Sequence, residues 1–160
     1  MIIYRLAEIN DVDQLVRMRA LMQLESTDYK PEDVTSVFIE KVKDYFLKAI
    51  PSNIYYSTIA ILNNKIIGTA GVCFYEKPPT LSDGTGLIGY VTNVFVEKEF
   101  RKKGIGTRMM FELNQLAVNL KADKLHLGAT SDGLSMYKAV GYREPRFINL
   151  EIRYPFENRS

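Results

Sequence analysis

The amino-acid sequence predicts an α/β fold, mixed in the α+β sense, in which a central and mostly antiparallel sheet carries helices on both faces. Three observations lead there. Short β-branched and aromatic runs alternate with longer stretches whose apolar residues recur every 3.6 positions. The span from residue 87 to 130 reads strand, helix, strand, a βαβ unit whose two strands are expected to be parallel. The strand-like runs before it are joined by turn chemistry too short for a crossover, so they are expected to form an antiparallel meander. The resulting element order is βααβββαβαβ, and 160 residues are expected to form one domain, residues 1–160, around a single core.

Each element has a local reason. Ile2, Ile3, Tyr4, Arg5 and Leu6 make a short strand, and Asn10 or Asp11 offers a cap for a first helix that places Val12, Leu15, Val16, Met18 and Met22 on one side and runs to about Glu25. Pro31 suits the first turn of a second helix, because the N–H that proline lacks is not needed there. Its predicted stripe is Val34, Val37, Phe38, Val42, Tyr45 and Phe46, and Pro51 ends it. Residues 54–62 and 66–75 are strand-like and flank Asn63-Asn64-Lys65, a combination that favours a tight hairpin. Residues 76–86 hold two prolines, two glycines, Ser82 and Asp83, which is loop chemistry and the candidate for a flap. Residues 87–96 form a fourth strand, and residues 104–120 a third helix with Met109, Met110, Leu113, Leu116, Ala117 and Leu120 inward. A fifth strand over 124–130, a short helix over 132–140 stopped by Gly141, and a last strand over 147–154 complete the chain.

Composition narrows the function. Apolar residues at 46% and charged residues at 25% belong to an ordinary globular protein. No apolar run approaches the roughly 20 residues that span a bilayer, and the N-terminus has no charged region leading into an apolar one, so a cytoplasmic location with no membrane partner is expected. Cys73 is the sole cysteine, which excludes an intrachain disulfide and a cysteine-based metal cluster, and no metal site is expected. The net charge of +2, from 21 basic and 19 acidic residues, is too balanced to imply a nucleic-acid surface.

The chemistry concentrates between the fourth strand and the third helix. Arg101-Lys102-Lys103-Gly104-Ile105-Gly106-Thr107 joins a strand end to a helix start, where unpaired N–H groups and the helix dipole attract anions. Gly104 and Gly106 let the backbone curl around phosphate oxygens, and the three basic residues add charge at the rim. A diphosphate is the natural guest. No Gly-Lys-Ser/Thr triplet follows, so this is not a Walker loop, and the dinucleotide pattern lacks its third glycine.

The stretch from Asn93 to Gly106 closely resembles the acetyl-CoA signature of the GNAT acetyltransferase superfamily, Arg/Gln-x-x-Gly-x-Gly/Ala after a strand. A second block, Leu134-Ser135-Met136-Tyr137-Lys138-Ala139-Val140-Gly141-Tyr142, is similar to the family's later motif of a tyrosine on a short helix followed by glycine and an aromatic. The resemblance is close over residues 87–142 and one of outline over 1–86. It implies an N-acetyltransferase that moves the acetyl group of acetyl-CoA directly onto an amine, small-molecule or peptide, with no nucleic acid involved and a homodimer compatible with it.

Residue by residue, the resemblance implies a β-bulge in the fourth strand that splays it from the fifth and opens a cleft for pantetheine. Backbone groups of Val94 and Val96, with Phe95 between them, would pair with pantetheine amides or act as an oxyanion site. The diphosphate would rest on Arg101, Lys102, Lys103, Gly104, Ile105, Gly106 and Thr107, and Ser131 and Asp132 lie where the family contacts pantetheine or the adenosine end. Tyr137 matches the tyrosine that protonates the leaving thiolate; its bland competitor is a packing role.

The base departs from the family's pattern, because Tyr90 and His126, the only histidine, stand where many members carry a glutamate. A histidine has a suitable intrinsic pKa, and a water relay from Tyr90 or Thr92 is the alternative. Cys73 is read as packing and not as an acyl-accepting nucleophile. Glu25, Asp28, Glu32, Glu76 and Asp83 sit where an acceptor pocket is commonly built and would attract a cationic amine. The competing readings are an acyl-CoA-binding sensor without activity and, less well supported, a nucleotide- or RNA-binding protein using the basic turn.

Overall fold

A computed structural model describes residues 1–82 and 84–154. Five strands form one sheet in the order β1 (Ile3–Leu6), β2 (Tyr55–Leu62), β3 (Lys65–Glu76), β4 (Leu87–Val96) and β5 (Lys124–His126). The first four are antiparallel neighbours and β4 pairs with β5 in parallel, as the βαβ reading requires. The β2–β3 hairpin turns on Asn63 and Asn64 alone, with Leu62 opposite Lys65. Both asparagines have positive φ (50° and 62°), as a two-residue turn matched to strand twist demands, and asparagine tolerates that conformation.

Helices α1 (Val12–Ser26) and α2 (Ser36–Ala49) cover one face, and α3 (Ile105–Asn119) with the short α4 (Leu134–Ala139) covers the other. Val12, Leu15, Val16 and Met18 of α1 are buried with Phe46, Tyr55, Ile59 and Ile66, which is the predicted α1 stripe except for Met22, which is half-buried. On the opposite face Ile105, Met109, Met110, Leu113 and Ala117 of α3 pack on Ala60, Val72, Phe74 and Val91. Gly68 and Gly89 are narrow points in these layers, since a side chain at Gly68 would strike Met109 and one at Gly89 would strike Leu125.

Three expectations need correcting. Residues 31–33 form a separate 3-10 turn, and α2 begins at Ser36, because Thr35 is the residue whose side chain accepts a hydrogen bond from the Phe38 N–H (3.2 Å). Its inward stripe is accordingly Ile39, Val42, Phe46 and Ala49, while Val37 and Tyr45 are exposed. Second, β5 stops at His126 instead of running to Thr130. Third, residues 147–154 form no strand, and Phe147, Ile148, Leu150, Ile152 and Tyr154 are exposed; an alternating apolar pattern makes a strand only where a ladder partner is presented, and the short β5 presents little.

Candidate active site

The site begins with a mismatch of lengths. Of the ten residues of β4, only Ile88, Gly89 and Tyr90 pair with β5. Beyond them residues 91–96 have β3 on one side and no strand on the other. On the β3 side the register runs from Thr69 opposite Phe95 to Gly71 opposite Thr92, so two steps on β3 meet three on β4. That extra residue is a β-bulge, and it lies just past the last β4 residue that pairs with β5.

Asn93 makes the bulge. Its φ is +57°, its side chain is only 3% exposed, and its carbonyl accepts a hydrogen bond from the Thr69 hydroxyl (2.8 Å). Its side-chain Nδ2 donates to the Tyr55 hydroxyl (3.3 Å), while Oδ1 has no partner among the described residues. Sequence reasoning quoted Asn93 within the signature and gave it no role. The available signal was that asparagine is several-fold enriched among non-glycine residues of positive φ.

The open edge of β4 leads directly to the start of α3. Gly104 is the N-cap of that helix with φ +77° and ψ 2°, and the space where a side chain would project from it is clear for 4 Å. Lys102 also has positive φ, and Lys102, Lys103, Gly104 and Thr107 are exposed. No acidic residue lies in the first turn of α3, so nothing opposes the positive end of its dipole. The buried Ile105 anchors the turn in the core.

Two members of the predicted turn do something else. Arg101 points back: its Nε donates to the Val96 carbonyl (2.7 Å), its guanidinium lies over the Phe95 ring, and its Nη1 forms an ion pair with Glu25 of α1. The Arg101 hydrogen bond holds the Glu25 carboxyl below its usual pKa. Thus Arg101 ties β4 to α1 instead of standing at the rim, and Glu25 is occupied. Gly106 faces α4, where a side chain would meet the Met136 sulfur at 2.9 Å, so its missing Cβ serves helix packing.

Tyr137 is half-buried on α4, its ring edge-on to Tyr142 at 5.9 Å, and its hydroxyl makes no hydrogen bond with a described residue. Burial raises its pKa, so the phenol remains protonated through the neutral range. Ser131 and Asp132 are exposed in the turn before α4.

On the α1/α2 side of the sheet a polar row crosses four strands: Tyr55 stands opposite Cys73, Cys73 opposite Tyr90, and Tyr90 opposite His126. Nε2 of His126 shares a hydrogen bond with the Tyr75 hydroxyl (2.9 Å), and its ring lies 5.1 Å from that of Tyr90. Burial, aided by the charge of Lys124, lowers the His126 pKa, so the imidazole is neutral at pH 7. Cys73 is half-buried with Sγ 3.1 Å from the Tyr45 hydroxyl. Asp28, Glu32 and Glu76 are exposed, and Asp83 lies outside the described residues.

A strand edge left without a neighbour beyond Tyr90, carrying a bulge and leading to a glycine-opened helix start, is an arrangement suited to an extended ligand with an anionic end. The chain belongs to the acetyltransferase (GNAT) family, whose model matches residues 18–142. It is 32% identical to a predicted acetyltransferase from Clostridium acetobutylicum solved with acetyl-CoA, with a TM-score of 0.82 over 94% of this chain and 96% of that one. A GCN5-related N-acetyltransferase from Ralstonia eutropha shares the fold at 20% identity, TM-score 0.80, over 95% of this chain and 99% of that one. A chloroplastic GCN5-related N-acetyltransferase of Arabidopsis thaliana is 39% identical over 75 residues, 42% of this chain and 24% of that protein, so the match spans about a quarter of the relative's length.

Proposed function

We propose that this chain transfers the acetyl group of acetyl-CoA to a primary amine by direct attack in a ternary complex. The observation that carries the reading is the free edge of β4 over residues 91–96, which ends at the open N-terminus of α3. The solved relative with acetyl-CoA supports the choice of ligand. The residues fit that group: the strand edge offers unpaired amides, and the clear space at Gly104 suits a diphosphate at a helix dipole. Acetyl-CoA supplies an activated acyl group whose leaving sulfur is a moderately good base.

Backbone groups of Val94 and Val96 hold the pantetheine arm and orient the acyl carbonyl, and the N–H groups around Gly104 to Thr107, with Lys102 and Lys103, hold the diphosphate. Arg101 positions this edge through Val96 and Phe95. Neutral His126, held by Tyr75, accepts the proton that the amine must lose, directly or through water, and the protonated phenol of Tyr137 returns one to the sulfur. An alkylamine is mostly protonated at neutral pH, which is why a base matters.

The test combines calorimetric titration of acetyl-CoA with thiol release across an amine panel. Binding with amine-dependent thiol release is expected. Binding without thiol release on any amine would leave an acyl-CoA sensor; absence of binding would refute the site itself.

A further inference from the structure

Arg19 stands out among the charged residues packed against the site. Every other arginine that joins α1 to the sheet has a carboxylate: Arg5 is paired with Asp11, Arg17 with Glu97, and Arg101 with Glu25. Arg19, half-buried on α1, has no carboxylate oxygen within 4 Å among the described residues. Among the described residues its one polar contact is a long hydrogen bond from Nη1 to the Thr92 hydroxyl (3.4 Å). A guanidinium carries five donors in a planar fork, and a half-buried one without an anion is unusual.

Its surroundings lie on the α1/α2 face of the sheet, beside the unpaired part of β4. Thr92 immediately precedes the bulge residue Asn93 and lies two positions from Val94, about 7 Å along a strand. Tyr90 lies on the same face as Thr92 and is 42% exposed, and Tyr45, equally exposed, reaches Cys73 in the neighbouring position of the row. Burial raises the pKa of both Tyr45 and Tyr55, and the nearby positive charge of Arg19 opposes it. The arrangement is a cation beside two tyrosine rings, with Glu25 and Glu97 already neutralised by Arg101, Arg17 and Lys65.

We propose that Arg19 is the anion anchor of the acceptor site, and that the acceptor is a small primary amine carrying a carboxylate or phosphate a few bonds from its nitrogen. This rests on the transferase reading above. The geometry sets the size: an acid held by Arg19 lies on the order of 10 Å from Val94 or closer, so the amine and the acid belong to one compact molecule, as in an amino acid. The bidentate fork of arginine suits either acid, and the tyrosine rings give apolar contact to the remainder. A polycationic amine finds a like charge there, and Glu25 and Glu97 are already paired.

The experiment measures kcat/KM by thiol release for one primary arylalkylamine in four matched forms, the carboxylic acid, the phosphonate, the carboxamide and the unsubstituted amine, together with a polyamine. Rates are corrected for each amine's free-base fraction. With the wild-type protein the acid or the phosphonate is expected to exceed the carboxamide by about ten- to a hundredfold, the range of a charge-assisted hydrogen bond; which of the two leads distinguishes carboxylate from phosphate as the natural group. In Arg19→Gln the ratio is expected to collapse toward one, and in Arg19→Lys, which keeps the charge and loses the fork, part of it is expected to survive. Equal use of acid and carboxamide by the wild type, a preference for the polyamine, or an equal loss on every acceptor in Arg19→Gln would each overturn the inference while leaving the transferase reading intact. No thiol release with any amine would overturn both.

Discussion

Gly104 and Gly141 allow the phosphate site to be tested against an internal control. Both have positive φ, +77° and +104°, and at both the space for a side chain is clear for 4 Å. An alanine at either position therefore meets no clash and suffers only backbone strain. For an L-residue in the left-handed region that strain is about 1–2 kcal/mol, with somewhat more expected at Gly141 because its φ lies beyond the usual left-handed range. In a domain of this length each kcal/mol lowers Tm by about 2–4 °C. Gly104→Ala and Gly141→Ala are thus expected to fold and to melt a few degrees below wild type. They should differ in ligand binding. The Cβ of Gly104→Ala enters the space proposed for the phosphate oxygens at the start of α3, so affinity for coenzyme A should fall more than tenfold, which corresponds to about 1.4 kcal/mol or more. Gly141→Ala, past the end of α4, should bind as wild type. Thermal melts and calorimetric titration of both proteins decide the matter. Unchanged affinity in a folded Gly104→Ala, or equal losses in the two variants, would refute the placement of the diphosphate.

Three further outcomes are expected. Tyr137→Phe should retain coenzyme A affinity while kcat falls by about 10²–10⁴-fold, the usual contribution of positioned proton transfer; turnover close to wild type in steady-state assays would reduce Tyr137 to packing. Because His126 has its pKa lowered below the ordinary value of 6.5 by burial and by Lys124, kcat/KM should rise on its acid limb with an apparent pKa below 6.5. Removing the cation in Lys124→Gln should move that limb upward, His126→Gln should abolish it, and a pH profile indifferent to both would remove His126 from the mechanism. No acyl-enzyme should form on Cys73, which touches Tyr45 and has no histidine contact; an acetyl adduct in the intact mass after incubation with acetyl-CoA alone would contradict direct transfer, whereas Cys73→Ser should keep most activity.

What the sequence determined by itself was whatever depends on neighbouring residues. The apolar stripes of α1 and α3 follow from 3.6-residue spacing, apart from Leu120, which is exposed just past the end of α3; the hairpin at Asn63 and Asn64 follows from tolerance of positive φ, and the start of α3 from Gly104. The parallel pairing of β4 with β5 followed from an intervening helix, since a crossover leaves no other choice. These features are local, so one chain sufficed to read them, and the turn and tyrosine motifs pointed to the family for the same reason.

The tertiary structure decided the partners of groups distant along the chain. Nothing near Arg101 says that its guanidinium will meet Glu25 and the Val96 carbonyl, nothing near Gly106 announces the sulfur of Met136, and the stopping point of β5 depends on which edge the fold presents. The same holds for Asn93, whose bulge exists only in register with Thr69 and Gly71, and for Arg19, which differs from Arg17 only in what the sheet sets opposite it. A side chain's chemistry is written in the sequence, but whether a charge is paired is a property of the surfaces that folding brings together, and in this protein that pairing separates the residues that hold the cleft open from those left facing it.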